Sequence, residues 1–288
     1  MKAMKLLRFF SGVALVAVTG AWALVEAHIS VARTVNRHNY ARAGAYFEGS
    51  FARKRGLPPV MLWAWERPED LGGIDTRQAG VAFLARRVFL VGDDVVVRPR
   101  LQPLRVPEDT SLVTVVRIEA QPVRLGRDGA GPMGATLSMR QRDALVKSLA
   151  AVAAEFPNAA ALQVDFDATI SQREFYRQVL ERLRRELPAE MPLQVTALAS
   201  WCLRDDWLDS VPIDDAIPML FRMGMGERDV RIRLDAGEDF ASPACRESLG
   251  ISTDEPLKHL PNGRRLYIFS PRAWTPRDAR QAIEGTRR

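Results

Sequence analysis

Two aspartates separated by a single residue lie in the run LQVDFDAT at 162–169. If this run is a β-strand, Asp165 and Asp167 share one face, because strand side chains alternate with a period of two. A pair of carboxylates on one face can transfer protons, bind a ligand or hold loops in place. Because like charges repel, one member of such a pair can keep a proton near neutral pH. Asp167 and Asp165 are therefore the first candidate catalytic residues.

Other polar and aromatic residues occur where further apolar runs end. Glu66 follows PVMLWAW and Glu119 lies in VVRIEA, and each is a candidate for a second catalytic carboxylate. Five residues at similar positions are candidates for substrate binding: Trp65, Arg117, Trp201, Arg222 and Trp274. Aromatic faces can stack on sugar rings and carboxylates can bind or activate sugars, so the combination favours a carbohydrate cleft. In the alternative interpretation, the tryptophans belong to the core and the arginines neutralise buried carboxylates.

The apolar runs have the composition of strands that are buried on both faces, as in parallel sheets. Eight strand candidates are present, at 59–66, 79–90, 95–106, 111–120, 160–168, 193–201, 216–224 and 264–270. Most of them have this composition, whereas 95–106 is expected to form an extended pair with the strand before it. Helix start signals stand between or after the later runs, in SMRQ at Ser138, SQRE at Ser171 and TPRD at Thr275. The first two are capping boxes, and the third places a proline at the first helical position.

Alternating strands and helices predict an α/β fold, either a doubly wound sheet or a barrel. No glycine-rich phosphate loop follows the first strand, and both the strand number and the length suit a (β/α)8 barrel of about 250 residues. We expect an irregular (β/α)8, TIM-like barrel with a helix-poor N-terminal half, as a single domain at 57–288. The polar residues at the strand ends then lie on the face that carries active sites in this fold. The glycine-rich stretch 126–138 is predicted to be a mobile loop.

The N-terminus has a different character. A positively charged start precedes an uncharged apolar run at 9–25, and small residues suited to signal peptidase follow. This pattern predicts a signal peptide or an uncleaved membrane anchor at 1–27, with a polar linker at 28–56. The protein is therefore expected to be exported, either periplasmic or anchored in the inner membrane facing the periplasm. Membrane contact is expected only through this segment.

Composition and charge limit the classes of partner that can be expected. The chain of 288 residues is 47% hydrophobic and 26% charged, which is typical of a globular protein with a large core. The net charge is +6, but the arginines are scattered and form no platform with aromatic residues, so no nucleic-acid partner is expected. Export also argues against a cytosolic nucleotide, and no cofactor is predicted. The expected partner is a polysaccharide or another glycan.

Cys202 and Cys245 are the only cysteines of the sequence. In an oxidising compartment such a pair predicts a disulfide, with two reduced core thiols or a nucleophilic cysteine as the alternatives. The sequence has three histidines, which argues against a zinc site built on imidazoles, and no metal is required. Asp165 and Asp167, together with a carbonyl, could instead hold a hard cation such as Ca²⁺.

Seven motifs lie between Pro59 and Trp274: VMLWAWERPEDL, VRIE, VDFDA, ALASWC, PMLFRMG, CRESLGIS and YIFSPRAW. Together they resemble the bacterial domain-of-unknown-function family 3142. This resemblance brings no activity with it. It implies a barrel related to glycoside hydrolases.

The run VDFDAT also looks like the fourth-strand motif of chitinase-type glycoside hydrolases, Asp-x-x-Asp-x-Asp-x-Glu. Asp165 and Asp167 match its second and third acidic positions, whereas Leu162 occupies the first. Thr169 stands where the family has its catalytic glutamate. A threonine cannot protonate a leaving glycosidic oxygen, so a hydrolase with this sequence must take its acid from another of the carboxylates named above.

Three functions are compatible with these features. The first is an exported glycosidase-like protein that acts on a polysaccharide through strand-end carboxylates and tryptophans. The second is a non-catalytic glycan-binding or envelope-assembly protein on a degenerate glycosidase barrel, which Thr169 favours. The third is a structural envelope protein, which predicts a closed rim without a cleft.

Overall fold

The computed structural model describes residues 56–122, 134–205 and 207–286. The strands of these residues are β1 (Val60–Ala64), β2 (Glu69–Asp70), β3 (Ala79–Val91), β4 (Asp94–Pro99), β5 (Leu104–Arg105), β6 (Leu112–Ala120), β7 (Ala161–Asp165), β8 (Leu193–Leu198), β9 (Asp215–Met219), β10 (Ser248–Ser252) and β11 (Arg265–Phe269). The α-helices of the same residues are α1 (Met139–Glu155), α2 (Arg173–Glu186), α3 (Ala199–Arg204), α4 (Glu227–Asp235) and α5 (Pro276–Gly285).

Eight strands form a closed barrel in which all neighbours are parallel. Their order is β1, β3, β6, β7, β8, β9, β10 and β11, and β11 pairs with β1 to close the ring. β4 pairs with the far end of β3 in the antiparallel direction, and β2 and β5 form a separate two-stranded sheet. This topology confirms the predicted α/β barrel.

The connections between barrel strands differ along the chain. Helices α1, α2, α3 and α4 follow β6, β7, β8 and β9 respectively, and α5 follows β11. The connections from β1 to β3 and from β3 to β6 are described in full and contain no helix; they carry β2, β4 and β5 instead. The connection from β10 to β11, which is also fully described, has no helix either.

Two of the three predicted helix starts are confirmed. The Ser138 hydroxyl accepts a hydrogen bond from the Gln141 N–H at 3.2 Å, and the Thr275 hydroxyl accepts one from the Asp278 N–H at 3.2 Å. The start predicted at Ser171 is wrong: Ser171 lies within a 3₁₀ turn, Ile170–Gln172, and α2 begins only at Arg173. Proper caps satisfy N–H groups that the first helical turn leaves without partners.

Four predicted strands extend too far. The runs 59–66 and 160–168 end as strands at Ala64 and Asp165, so Glu66 and Asp167 lie just beyond them. The run 193–201 ends as a strand at Leu198, because α3 begins at the next residue. The run 216–224 ends at Met219, and the chain then turns through Arg222, whose φ is 50°. An apolar run that passes from a strand into a helix keeps its composition, so its periodicity does not mark the change.

The barrel interior has its own cluster of buried side chains, separate from the larger core that packs the strands against the helices. Its members include Met61, Trp63, Val115 and Tyr267. Gly250 on β10 makes room for Trp63, because a Cβ there would lie 2.9 Å from the ring atom Cη2. The interior is thus packed with side chains, so a ligand site can form only at the ends of the strands.

Three predicted segments lie wholly or mostly outside the described residues: the signal or anchor at 1–27, positions 28–55 of the polar linker, and positions 126–133 of the mobile loop. Within the described part of the chain, no helix combines the length and the apolar character needed to cross a membrane.

Candidate functional site

Asp165 ends β7, directly beside Arg117 of β6 in the strand register. The Nη1 of Arg117 donates to Asp165 Oδ2 at 2.7 Å, and the Thr196 hydroxyl on β8 donates to Oδ1 at 2.7 Å. The Asp165 side chain is 2% exposed. Its two oxygens therefore bind donors of the two neighbouring strands, and the pairing of the strands sets this geometry.

Asp167 is the open member of the aspartate pair. It lies two residues beyond the end of β7, and its side chain is 41% exposed. The Nη2 of Arg117 donates to Asp167 Oδ2 at 2.9 Å, and Oδ1 has no hydrogen-bond partner among the described residues. A single guanidinium thus joins a buried and an exposed carboxylate.

The electrostatics of the two aspartates differ with their burial. Burial raises the pKa of Asp165; the charge of Arg117 opposes this, the charge of Asp167 adds to it, and the net direction is upward. Burial alone lowers the pKa of Arg117, but the charges and hydrogen bonds of the two aspartates raise it overall. Arg117 therefore stays charged, while Asp165 takes up a proton more readily than an ordinary aspartate.

The two candidate glutamates share a different arginine. Arg87 of β3 donates from Nη1 to Glu66 Oε2 at 2.9 Å and from Nη2 to Glu119 Oε1 at 2.6 Å. The pKa of Arg87 is raised, chiefly by its hydrogen bonds to Glu119. The position of β3 between β1 and β6 brings the three residues together. Neither Glu66 nor Glu119 lines the cavity that Asp165 and Asp167 line.

This cavity, of about 320 Å³, opens at the carboxyl ends of the strands. Asp165, Asp167, Arg117 and Thr196 form part of its polar lining. Its aromatic wall is made of Trp63, Trp65, Phe221 and Phe269. Phe221 and Phe269 stack with centroids 5.3 Å apart and planes at 4°, and Trp65 meets the Phe269 ring edge-on with centroids 6.3 Å apart. The cavity therefore places carboxylates opposite flat apolar surfaces.

The loop that carries Trp65 is held by two arginines. Arg100, which is buried, donates to the Trp65 carbonyl and, at 2.6 Å, to the Arg67 carbonyl. Burial lowers the pKa of Arg100 to about 10. Arg67 in turn donates to the Ser270 carbonyl at 2.8 Å and to the Pro271 carbonyl at 2.5 Å. Trp65 is thereby fixed beside the end of β11.

Arg222, which follows β9, also lines the cavity. Its φ of 50° is in the left-handed region, which few non-glycine residues adopt. Its N–H donates to Glu255 Oε2 at 3.0 Å, and its guanidinium carbon lies 5.0 Å from the centroid of the Phe269 ring. The face of Phe269 therefore holds the guanidinium at the cavity.

The structure places two of the predicted sugar-binding tryptophans elsewhere, which corrects that expectation. Trp201 is 2% exposed and packs on Trp207, with ring centroids 5.0 Å apart, because its segment is helical and turns the ring into the core. Trp274 is also 2% exposed, and its Nε1 donates to the Trp63 carbonyl at 2.8 Å. Neither residue lines the cavity.

Four residues of the site were missed from the sequence: Arg87, Thr196, Phe221 and Phe269. Continuing the period-two pattern would have found Thr196, two residues before Leu198, and Phe269, two residues after Tyr267. Arg87 gives no such signal, because the register shifts between Leu84 and Arg86 and the alternation of faces is broken there.

Cys202 and Cys245 form a disulfide with their Cα atoms 5.8 Å apart. The described residues contain no group of three or more His, Cys, Asp or Glu side chains that could hold a metal ion. Between Asp165 and Asp167, the Arg117 guanidinium supplies the positive charge that a bound cation would supply.

A cavity with one exposed carboxylate, one exposed guanidinium and an aromatic wall can bind a polar ligand that also has flat apolar faces. Both ionic groups lie at the rim, whereas Asp165 and Thr196 lie deeper and are already paired. These properties rest on the geometry of this chain alone, since no family model, no curated protein and no solved structure matches it.

Proposed function

We propose that this protein binds a carbohydrate chain in the cavity at the mouth of the barrel, and that Asp167 is the carboxylate in contact with the sugar. One observation carries the proposal: Asp167, whose Oδ1 accepts no hydrogen bond from the described residues, shares a cavity with the aromatic wall of Trp65, Phe221 and Phe269. Sugar rings present hydroxyls at their edges and C–H groups on their faces, and this pairing of surfaces suits both.

Binding without hydrolysis is favoured by the state of the candidate acids. Each of the four candidate carboxylates accepts a hydrogen bond from an arginine, either Arg117 or Arg87. Thr169 is exposed in the loop after β7, where its hydroxyl lies 3.1 Å from the Ser171 hydroxyl. Position 169 therefore offers no acid that could protonate a leaving glycosidic oxygen.

Glycoside hydrolysis is the second candidate, because burial raises the pKa of Asp165 beside the charged Asp167. Retaining and inverting glycosidases both use one protonated and one ionised carboxyl group. In this mechanism Asp165 donates the proton and Asp167 acts as the base or nucleophile. The open cavity argues against the third function, a purely structural envelope protein, which requires a closed rim.

We propose further that the protein acts outside the cytoplasm. The disulfide between Cys202 and Cys245 supports this, because disulfides persist in oxidising compartments. The charged and apolar N-terminal pattern at 1–27 supports it independently. The glycan is then an envelope polysaccharide or an exopolysaccharide.

The proposal is tested with the purified full chain on a panel of bacterial envelope and exopolysaccharides, with binding and new reducing ends measured in the same samples. The Asp167→Asn variant removes the exposed charge and keeps the shape. We expect at least a roughly tenfold loss of affinity, typical for a charged hydrogen bond worth 1.5–3 kcal/mol. Asp143→Asn, the same change at an exposed position of α1, is the matched control and should bind as wild type does.

Binding that depends on Asp167 without new reducing ends supports the glycan-binding function. New reducing ends that Asp167→Asn abolishes identify the protein as a hydrolase. Equal binding by wild type and Asp167→Asn contradicts the role of Asp167, and absence of binding to the whole panel contradicts the proposed function.

A further inference from the structure

Among the described residues, Arg222 differs from the other arginines of the mouth because its guanidinium forms no ion pair. Arg117 binds two aspartates and Arg87 binds two glutamates. Within the described residues, the Arg222 guanidinium has no carboxylate at ion-pair distance; its contact is the face of Phe269. A positive charge that lines a cavity and has no internal partner is available to a ligand.

The orientation of Arg222 is fixed at some energetic cost to the backbone. The left-handed φ of 50° is unfavourable for a residue with a Cβ, and the N–H bond to Glu255 at 3.0 Å holds it. Strained conformations of this kind persist where surrounding contacts enforce them, and they cluster at ligand sites. The carboxylate of Glu255 serves the backbone of Arg222 and leaves its guanidinium uncompensated.

The contact with Phe269 leaves the N–H groups of the guanidinium open, because none of them donates a hydrogen bond among the described residues. The cation–π attraction that holds a guanidinium over an aromatic ring requires no hydrogen bond from its N–H groups. The ring beneath it is itself fixed, because Phe269 stacks on Phe221 with a centroid separation of 5.3 Å. Such a planar, prepositioned fork matches a carboxylate, which it can bind through two parallel hydrogen bonds.

We propose that Arg222 selects acidic carbohydrates, by binding the carboxylate of a uronic acid residue at the cavity mouth. This inference rests on the proposed glycan-binding function. A carboxylate fits better than a phosphate dianion, because the described lining of the cavity offers one guanidinium without an ion pair and also contains the exposed carboxylate of Asp167. One positive charge balances one carboxylate, whereas a second negative charge on the ligand would meet repulsion from Asp167.

The test compares acidic glycans with the same glycans after reduction of each carboxylate to a hydroxymethyl group. The probes are oligomers of galacturonate, mannuronate and hyaluronan, each with its reduced form, and a sulfated galactan as a different anion. For the full-length wild type we expect tighter binding of at least one uronate oligomer than of its reduced form, by roughly tenfold or more. Isothermal titration gives both affinities.

Three variants test whether Arg222 causes this preference for acidic glycans. Arg222→Met keeps the aliphatic stem and removes the charge, and we expect it to bind the acidic and reduced forms equally. Arg222→Gly suits the left-handed φ, so it separates loss of the charge from any failure to fold. Arg98→Met removes an arginine that also stacks on a phenylalanine, Phe89, but lies outside the cavity lining; it should keep the wild-type preference.

Each outcome has a distinct meaning. A uronate preference that both Arg222 variants lose and Arg98→Met keeps supports the inference. Equal binding of acidic and reduced glycans by wild type, or an unchanged preference in Arg222→Met, overturns it while glycan binding stands. Tighter binding of the sulfated galactan than of every uronate oligomer overturns the choice of a carboxylate. Absence of binding to all neutral and acidic probes overturns the proposed function together with this inference.

Discussion

Arg117 is the residue on which the geometry of the aspartate pair depends. It donates to Asp165 at 2.7 Å and to Asp167 at 2.9 Å, and Asp165 has the Thr196 hydroxyl as its other donor. A buried ion pair of this kind contributes little net stability compared with an apolar alternative, but its rupture leaves a buried charge without compensation. The contribution of Arg117 to stability is therefore best seen when Arg117 is replaced, because Asp165 is then left without its counter-charge.

We expect Arg117→Met to lower the free energy of unfolding by about 3–5 kcal/mol at pH 7, the usual result of removing one partner of a buried ion pair. Without Arg117 the pKa of the buried Asp165 rises further, so the folded state takes up a proton as the pH falls and part of the loss is recovered at acidic pH. Urea unfolding at pH 7 and pH 5 measures both effects.

The control for this substitution is Arg177→Met on α2. Arg177 also joins two carboxylates, those of Glu174 and Glu181, but on the surface of the helix. Solvent screens such pairs, so its replacement should cost much less and show little recovery at acidic pH. Equal losses in the two variants would contradict the importance that we assign to the burial of Asp165.

At the residue scale, the site was predictable where strand alternation holds. Arg117, Asp165 and Asp167 follow from the period of two and from the rule that barrel strands present their functional residues at their carboxyl ends. Trp201 was misplaced for a definite reason: its run looks like a strand to the end, but α3 starts two residues before it. The alternative interpretation, in which the arginines neutralise the carboxylates, holds for Arg117, but its exact partners depend on the strand register, which the apolar runs do not fix.

The strands and helices were easier to predict from the sequence than the positions of their ends and bulges. Apolar runs identified the barrel strands, except that β10 (Ser248–Ser252), with its two serines and a glycine, was not among the predicted runs. The register shift after Leu84 places Arg86 toward Glu155 of α1 and Arg87 toward Glu66 and Glu119. A bulge moves the side chains of all later residues of a strand to the opposite face, and no residue type in this strand predicts it.

The disulfide constrains one side of the barrel mouth. It links Cys202 of α3 to Cys245, so it closes the segment that includes β9, Arg222 and α4. In the chain-entropy model, a bridge with a sequence separation of 43 stabilises the fold by about 4 kcal/mol. We expect the double variant Cys202→Ala, Cys245→Ala to lose stability of this order.

The measurement is the denaturant midpoint and free energy of unfolding of three samples. Oxidised wild type should be the most stable, while reduced wild type and the double variant should agree with each other. Agreement of all three would show that native packing, rather than the cross-link, keeps α3 next to the segment around Cys245.

At the scale of the whole molecule, a chain of polar side chains runs through the barrel from the cavity to the opposite end. Trp63 Nε1 donates to Gln163 at 2.8 Å, and Gln163 Nε2 lies 3.4 Å from Gln194 Oε1, which also accepts from the Tyr267 hydroxyl at 2.9 Å. Gln194 Nε2 in turn lies 3.5 Å from Asp215 Oδ2. This arrangement ties five strands together across the interior.

A trace of this network is visible in the sequence. The triplet LQV occurs in both β7 and β8, and its glutamines, Gln163 and Gln194, are neighbours in the strand register. A polar residue repeated at the same position of two apolar strands indicates an interior network, because a buried amide needs partners. Asp215 carries no comparable signal, since an aspartate at the start of a strand is usually assigned to a turn.

Asp215 makes the stability of the whole barrel depend on pH. It is 4% exposed, it accepts from the Ser248 hydroxyl at 2.7 Å, and its Oδ1 has no partner among the described residues. Burial raises the pKa of Asp215 from its ordinary value of 3.8 to about 6. Between these values the folded state holds a proton that the unfolded chain releases, so stability falls as the pH rises through this range and is highest at its acidic end.

We therefore expect Asp215→Asn to gain stability relative to wild type between pH 4 and pH 7, by on the order of 3 kcal/mol, since each pKa unit corresponds to about 1.4 kcal/mol. The asparagine stays neutral and can still accept from Ser248. The measurement is the free energy of urea unfolding of both proteins at several pH values. Asp94→Asn, at the exposed first residue of β4, controls for other titrating groups and should follow wild type. A constant difference between Asp215→Asn and wild type across the range would show that Asp215 is ionised throughout and that burial does not raise its pKa.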